Sequence, residues 1–189
     1  MTTPLYNIYV VHGYTANSTS NWFPYLKHNL ETEQTKVHVF DMPNSQHPSF
    51  DEWINHLEQQ ITETNQKSIF IGHSLGCVTI LNYLMNKNLD QVVSTILVSG
   101  FVEQSPIQKL AEFMHQKIDY KKIINGIPNR VIISAQDDDI IPPSYSEELA
   151  KKIQAEFILL DHGKHFIDRD GFYEFPLLVD LVKKITHQI

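Results

Sequence analysis

Short runs rich in β-branched and aromatic residues recur six times along the chain, and longer amphipathic segments separate most of them. Several runs, such as Ile96-Leu97-Val98, are apolar without alternation, which is typical of strands covered on both faces of a parallel sheet. Parallel neighbours need crossover connections, and the helical segments between the runs supply them. The sequence therefore predicts an α/β fold, a three-layer α/β/α sandwich around a mostly parallel sheet of about six strands. The predicted strands are residues 5–11, 36–40, 67–71, 92–98, 129–134 and 156–160.

The segments between the runs carry apolar residues at the three- and four-residue spacing of one helix face. Segment 101–128 is longer than an ordinary crossover and contains two helical pieces, 107–115 and 120–124. It is either a cover over a site or a long crossover, and the sequence leaves both interpretations open. The apolar positions of the predicted helices are Phe50, Trp53, Ile54, Leu57 and Ile61, then Val78, Leu81 and Leu84, and finally Phe172, Leu178, Leu181, Val182 and Ile185.

Length and charge restrict the class of protein. A chain of 189 residues is expected to form a single domain, 1–189. Its net charge of −7 argues against a nucleic-acid partner, because phosphate binding needs a cationic face. The only cysteine, Cys77, excludes an intrachain disulfide, and the apolar run at 5–11 is too short for a membrane span. We therefore expect a cytoplasmic protein without a membrane span; its oligomeric state is not predicted.

The pentapeptide Gly72-His73-Ser74-Leu75-Gly76 follows the predicted strand 67–71 and precedes the helical segment that begins near Cys77. A G-x-S-x-G motif at a strand-to-helix junction is the nucleophile elbow, a turn so sharp that flanking side chains would collide. The turn raises the serine hydroxyl at the carboxyl edge of the sheet, where open α/β sheets bind ligands. Ser74 is the predicted nucleophile.

A serine hydroxyl needs a neighbouring base, and in this fold class the acid and then the histidine follow the serine along the chain. The run Asp137-Asp138-Asp139 follows the predicted strand 129–134, and His162 and His165 follow the strand 156–160. We assign Asp138 as the acid and His165 as the base, although spacing alone does not separate His165 from His162.

The tripeptide His12-Gly13-Tyr14 follows the first predicted strand. Acyl transfer creates an oxyanion that needs fixed N–H donors, and one of these comes from the residue after the nucleophile, here Leu75. The other comes from a loop after an early strand, and the backbone N–H of Tyr14 is the predicted donor. Gly13 would let that backbone approach a substrate closely.

These motifs, in this order and spacing, resemble the small serine hydrolases related to retinoblastoma-binding protein nine. The tail Gly163-Lys164-His165-Phe166 and the following Asp170-Gly171-Phe172 look like the bacterial branch of that family. The resemblance covers essentially the whole chain and implies a minimal α/β-hydrolase with six strands in the order 2-1-3-4-5-6. It also implies the acid at Asp138, four residues before Pro142, and the histidine at His165, before an aromatic residue. Lys164 stands where the family commonly has a small residue.

The predicted function is hydrolysis of a carboxylic ester or thioester, with a small acyl compound as substrate and without a metal or an organic cofactor. Short-chain model esters are the expected substrates, because no large lid is evident. Two alternatives are open: a non-catalytic binding or scaffold protein that retains the fold, and a metal site built from His162, His165 and the aspartates. The metal site lacks a recognised ligand spacing.

Overall fold

The computed structural model describes residues 5–62 and 65–186. Its six strands form one sheet in the order β2-β1-β3-β4-β5-β6, and every neighbouring pair is parallel. The strands are β1 (Tyr6–Val11), β2 (Thr35–Val39), β3 (Lys67–His73), β4 (Val92–Val98), β5 (Asn129–Ala135) and β6 (Glu156–Leu160). The predicted α/β class, strand number and strand order are confirmed.

Helices cover both faces of this sheet. Because side chains alternate along a strand, β1 sends Ile8 and Val10 to one face and Tyr9 and Val11 to the other. Helices α1 and α7 pack on the first face, and α2 to α6 pack on the second. The helices are α1 (Phe23–Leu30), α2 (Phe50–Gln60), α3 (Leu75–Met85), α4 (Ala111–Met114), α5 (Tyr120–Gly126), α6 (Pro143–Ile153) and α7 (Pro176–Thr186). Among the described residues, no helix is both long and apolar enough to cross a membrane.

The structure differs from the sequence prediction at a few helix positions. Helices α1 and α6 were not predicted, and α7 begins at Pro176, so Phe172 precedes the helix instead of lying on its face. Proline is favoured at a first helical position, where its missing N–H has no carbonyl partner to lose. Within segment 101–128, the buried ring of Phe113 packs against Phe50 and Trp53, so this connection is part of the core.

The parallel arrangement decides where the predicted functional residues lie. All six strands point the same way, so their carboxyl ends share one edge of the sheet. The residues that follow β1, β3, β5 and β6 include Tyr14, Ser74, Asp138 and His165, respectively. These four residues, which are up to about 150 positions apart in sequence, are therefore brought to a common edge by topology alone.

Candidate active site

Ser74 occupies the turn between β3 and α3 in a backbone conformation that side chains rarely adopt. Its φ is 54° and its ψ is −118°. The surrounding chain holds this conformation: the Ser74 N–H donates to the carbonyl oxygen of Val98 at 2.9 Å, and the Cys77 N–H donates to the Ser74 carbonyl at 3.0 Å. Strained residues that are fixed by their surroundings are concentrated at functional sites.

The two glycines of the motif are required by close backbone approach. A Cβ at Gly72 would lie 2.8 Å from Cys77 Cα, which leaves no room for a side chain. A Cβ at Gly76 would overlap the carbonyl oxygen of Val11 and lie 2.8 Å from that of His12. The elbow therefore packs directly against the end of β1, and glycine permits both contacts.

Asp138 and His165 form a buried pair. The His165 Nδ1 lies 2.9 Å from Asp138 Oδ2 and 3.1 Å from Oδ1, and the Asp138 side chain has no exposed surface. The carboxylate also accepts hydrogen bonds from the Ser99 hydroxyl at 2.8 Å and from the N–H groups of Ile140 and Ile141, both at 2.9 Å. Both oxygens of the Asp138 carboxylate therefore accept hydrogen bonds, and these fix the orientation of the side chain.

The charge state of this pair follows from those contacts. Burial by itself would raise the pKa of Asp138, but the hydrogen bonds from His165, Ile140 and Ile141 outweigh it, and the pKa is lowered. An ionised Asp138 accepts hydrogen bonds only, so the proton between the two residues belongs to His165 Nδ1. With that proton on Nδ1, Nε2 is the ring nitrogen that can exchange a proton with a substrate or a hydroxyl.

Three side chains hold the segment that carries His165. The His73 Nε2–H donates to the His165 carbonyl at 2.8 Å, and the Trp22 indole N–H donates to the Phe166 carbonyl at 3.1 Å. The Asp168 N–H donates to Asn21 Oδ1 at 2.9 Å. Strand β3 and the Asn21–Trp22 segment before α1 therefore fix the backbone around His165.

His73 is neutral in this setting. Burial is the largest influence and lowers the pKa of His73 to about 3, and the adjacent His165 acts in the same direction. Its ring centroid lies 5.0 Å from that of His165. The Nδ1 atom of His73 is buried without a hydrogen-bond partner, an arrangement that only an uncharged ring tolerates at modest cost.

The alternative histidine, His162, lies elsewhere. Its side chain is 89% exposed, and its Nδ1 is 3.4 Å from Asp137 Oδ2. Asp137 in turn accepts hydrogen bonds from the N–H groups of Gly163 and Lys164 at 3.0 and 2.8 Å. The structure thus pairs Asp138 with His165 and uses Asp137 to fix the turn before that histidine. In the described ranges, no three His, Cys, Asp or Glu side chains form a metal-binding group.

A cavity of about 290 Å³ opens at this edge of the sheet, and Ser74, His73, His165, Gly13 and Tyr14 all line it. Within the described residues, the Ser74 hydroxyl and the His165 ring are not joined by a hydrogen bond, whereas the His165–Asp138 contact is formed. Catalytic hydrogen bonds are often long in unliganded enzymes and shorten when substrate binds. The remaining lining residues are Thr15, Ala16, Ser20, Asn21, Ile107, Ile140, Ile167, Asp168 and Arg169.

Of the two predicted oxyanion donors, Tyr14 lines the cavity, whereas the Leu75 side chain is buried in the core. Leu75 is the first residue of α3, so no carbonyl of the helix can accept its backbone N–H. A Cβ at Gly13 would lie 2.9 Å from Ser74 Cβ, which puts the backbone before Tyr14 directly beside the nucleophile.

A larger cavity, of about 350 Å³, lies near the opposite edge of the sheet, beside the amino ends of β3 and β4. Its lining includes Ser68, Tyr83, Lys87 and Asp90 and contains no histidine. Its described lining therefore holds no serine–histidine pair, and the smaller cavity remains the candidate active site.

Comparison with known proteins identifies the family. The serine hydrolase family model matches residues 8–184. The chain belongs to the serine hydrolase family. This serine hydrolase is similar to the putative hydrolase YdeN of Bacillus subtilis (strain 168), with 36% identity over 177 residues that cover 93% of each chain. It is also similar to the serine hydrolase RBBP9 of Rattus norvegicus, with 22% identity over 171 residues, 89% of this chain and 88% of RBBP9. The resemblance drawn from the sequence motifs is confirmed.

Solved structures agree on the fold of this serine hydrolase. The crystal structure of the B. subtilis ydeN gene product superposes with a TM-score of 0.87 at 34% identity, covering 96% of this chain and 98% of that one. Alpha/beta hydrolase domain-containing protein 10 from mouse gives a TM-score of 0.71 at 14% identity, covering 96% and 90% of the two chains. The fold is that of an α/β-hydrolase.

The contacts of Ser99 and His73 are among those of the site that were not foreseen from the sequence. Ser99, which donates to Asp138, has a positive φ of 48° and directly follows β4. Its position at the carboxyl end of a strand next to β5 was the signal available. His73 lies inside the elbow motif, but its contact with the His165 carbonyl spans 92 residues and has no local signature.

Proposed function

We propose that this serine hydrolase cleaves carboxylic esters or thioesters through an acyl-enzyme on Ser74, with His165 as base and Asp138 as the acid that orients it. The observation that carries the proposal is the buried His165–Asp138 pair at 2.9 Å, whose histidine lines the same cavity as a serine on a strained elbow. Because His165 Nδ1 faces Asp138 and the residue lines the cavity, Nε2 is the ring nitrogen left to accept the serine proton.

The reaction has two balanced halves. In the first, Ser74 Oγ attacks the acyl carbon while its proton passes to His165 Nε2, and a tetrahedral oxyanion forms. Collapse of this intermediate breaks the bond to the leaving group, and the imidazolium returns the proton to the departing alcohol or thiol. In the second half, water attacks the acyl-enzyme, its proton goes to His165, and breakdown releases the acid and restores the Ser74 hydroxyl.

Two kinds of stabilisation support these steps. The buried, ionised Asp138 lies against the ring that becomes positively charged, and the low dielectric of the site strengthens that interaction. The backbone N–H groups of Tyr14 and Leu75 are the proposed donors to the oxyanion, and removal of one such donor typically costs about 10²–10³ in rate.

The dimensions of the cavity favour small acyl groups. A volume of about 290 Å³ is at the lower limit of small-molecule sites. Ile107, Ile140 and Ile167 give it apolar walls, and Ile107 belongs to segment 101–128. We therefore expect p-nitrophenyl acetate and butyrate to be hydrolysed with higher kcat/KM than the palmitate ester. Faster turnover of the palmitate ester would contradict this assignment of substrate size.

The decisive experiment is labelling with a fluorophosphonate probe, which phosphonylates an activated serine and releases fluoride. The native protein is expected to label and Ser74→Ala is expected to lose all labelling. Ser134→Ala is the matched control, because Ser134 is equally buried on β5 and its hydroxyl has no hydrogen-bond partner to lose. The control should label like the native protein.

Two other outcomes would be informative. Labelling that persists in Ser74→Ala would show that a different residue reacts. A folded native protein that neither labels nor hydrolyses any ester would overturn the proposal and favour the binding-protein alternative.

A further inference from the structure

His12 directly follows β1 and begins the connection into the candidate site, but its side chain does not line the cavity. The residue is fully buried, and its ring packs edge-on against Trp53 at 5.6 Å between centroids. Both ring nitrogens have backbone partners: Nδ1 lies 2.8 Å from the Gly13 carbonyl oxygen, and Nε2 lies 2.9 Å from the Met42 nitrogen. A ring so enclosed acts on the site only through the backbone that it contacts.

These partners determine the tautomer of His12. The Met42 N–H is a donor and can bind only a nitrogen with a free lone pair, so Nε2 is unprotonated. The proton is therefore on Nδ1 and is donated to the Gly13 carbonyl. Burial, the largest influence, lowers the pKa of His12, which agrees with a neutral ring.

The Gly13 carbonyl belongs to the same peptide unit as the Tyr14 N–H. The described chain has no cis peptide bonds, and in a planar trans peptide the C=O and N–H point in opposite directions. A hydrogen bond that fixes the Gly13 carbonyl toward the His12 ring therefore fixes the Tyr14 N–H away from it. Gly13 and Tyr14 both line the cavity that contains Ser74.

Neighbouring contacts restrain the same backbone. The Ala16 N–H also donates to the Gly13 carbonyl at 3.4 Å, and the Thr15 N–H donates to the Ser45 carbonyl at 2.9 Å. The peptide units on both sides of Tyr14 are thus held. The contact from His12 to Met42 ties this loop to the connection that follows β2, 30 residues further along the chain.

We infer that His12 is a positioning residue that sets the direction of the Tyr14 N–H toward the oxyanion, by clamping the Gly13–Tyr14 peptide from behind. The inference rests on the proposed function, because it assigns a task to a residue of the same site. It explains why a histidine, with a donor and an acceptor on opposite sides of one rigid ring, precedes the glycine.

The test compares two variants that each preserve one half of the clamp. Asparagine places its amide near the Nδ1 position and can still donate to the Gly13 carbonyl. Glutamine places its amide near the Nε2 position and can still accept from the Met42 N–H. His12→Gln is expected to lower kcat for p-nitrophenyl acetate roughly 10- to 100-fold, short of the loss from deleting an oxyanion donor outright, with little change in KM. His12→Asn is expected to retain most of kcat.

Thermal unfolding and a distant core variant separate positioning from general destabilisation. Ile153→Ala removes a buried side chain at the carboxyl end of α6 and should lower Tm without a selective loss of kcat. The inference is wrong if His12→Gln keeps as much activity as His12→Asn. It is also wrong if Ile153→Ala, at the same Tm as His12→Gln, loses kcat to the same degree. A native protein that neither hydrolyses esters nor reacts with the fluorophosphonate probe would instead contradict the proposed function itself. If the native enzyme is active and the His12 variants have unchanged kcat, the proposed function stands and only the role of His12 is wrong.

Discussion

The nucleophile elbow and the acid–base pair are built in different ways. The elbow is formed by consecutive elements, β3, Ser74 and α3, and its glycines provide space: Gly72 within the turn and Gly76 against the end of β1. The acid–base pair is assembled from distant parts. His165 meets Asp138 across 27 residues, and the Trp22 indole reaches the Phe166 carbonyl across 144 residues.

This difference has a physical consequence. A turn defined by glycines and a few backbone hydrogen bonds depends on steric space. It should therefore be destabilised when a methyl group replaces a glycine hydrogen. A catalytic ring held by remote side chains depends on donors and acceptors, so it should fail when one of them is removed without any change in volume. Each prediction below tests one side of this contrast.

The largest effect is expected from Asp138→Asn, which changes the acid–base pair and almost no volume. An amide in place of the carboxylate no longer stabilises the imidazolium and can favour the wrong tautomer of His165, so kcat should fall roughly 10⁴-fold. Steady-state kinetics with p-nitrophenyl acetate would measure it. Asp139→Asn, an exposed neighbour 3.7 Å from Arg169, is the control and should stay active. Equal losses in both variants would contradict the assignment of the acid.

The elbow should respond most strongly to Gly76→Ala. The added methyl group would overlap the Val11 carbonyl, and we expect a loss of about 3 kcal/mol in the free energy of unfolding, with lower activity. Alanine is intrinsically better than glycine within a helix by about 1 kcal/mol, so a loss at this α3 position must come from tertiary packing.

The matched control for the elbow is Gly171→Ala. Gly171 has a φ of 79° and nothing within 4 Å of an added Cβ, so only local backbone strain of about 1 kcal/mol is expected. Urea unfolding of both variants gives the comparison. If Gly76→Ala is as stable as Gly171→Ala, the elbow can accommodate an added methyl group and the predicted close packing against β1 is wrong.

The His73 ring, which joins the two regions, predicts a pH dependence of stability. Its pKa is about 3 in the folded protein and 6.5 in the unfolded reference, so between these values the unfolded chain binds more protons. Stability is therefore lost as pH falls from about 6.5 toward 3, because the unfolded chain takes up a proton that the folded ring does not.

Urea unfolding at several pH values would measure this contribution as a difference between variants. His73→Gln keeps a donor for the His165 carbonyl and cannot titrate, so its stability should fall less steeply with acid than that of the native protein. His28→Gln, an exposed position on α1, should leave the slope unchanged. If the free energy of unfolding varies with pH in the same way for the native protein and His73→Gln, His73 does not contribute to the pH dependence.

The smallest effect is expected from Trp22→Phe, which removes one remote donor to the base segment and keeps an aromatic ring. The Phe166 carbonyl loses its 3.1 Å hydrogen bond, so we expect about 1–2 kcal/mol less stability and a several-fold loss of kcat. Ser146→Ala is the control, because it removes a buried hydroxyl bonded to the Gly100 carbonyl, away from the base segment. If both variants lose equal stability and equal kcat, His165 does not depend on Trp22.

Much of this arrangement could be predicted because it is encoded locally. The apolar runs without alternation indicated buried parallel strands, and the elbow motif was recognisable at its strand-to-helix junction. The sequence could not separate His162 from His165 by spacing, because both follow β6 within one short turn. The structure separates them by burial: His165 is enclosed beside Asp138, and His162 is exposed beside Asp137.

Sequence alone determined the six strands, their parallel class and the position of the elbow, because periodicity and turn glycines act over a few residues. The family resemblance added the strand order and supported the choice of acid and base. Only the tertiary structure decided what holds that pair: Ser99 on the carboxylate, and His73 and Trp22 on the segment around His165. These contacts span 39, 92 and 144 residues along the chain, and such pairings exist only once the sheet has brought its carboxyl ends together.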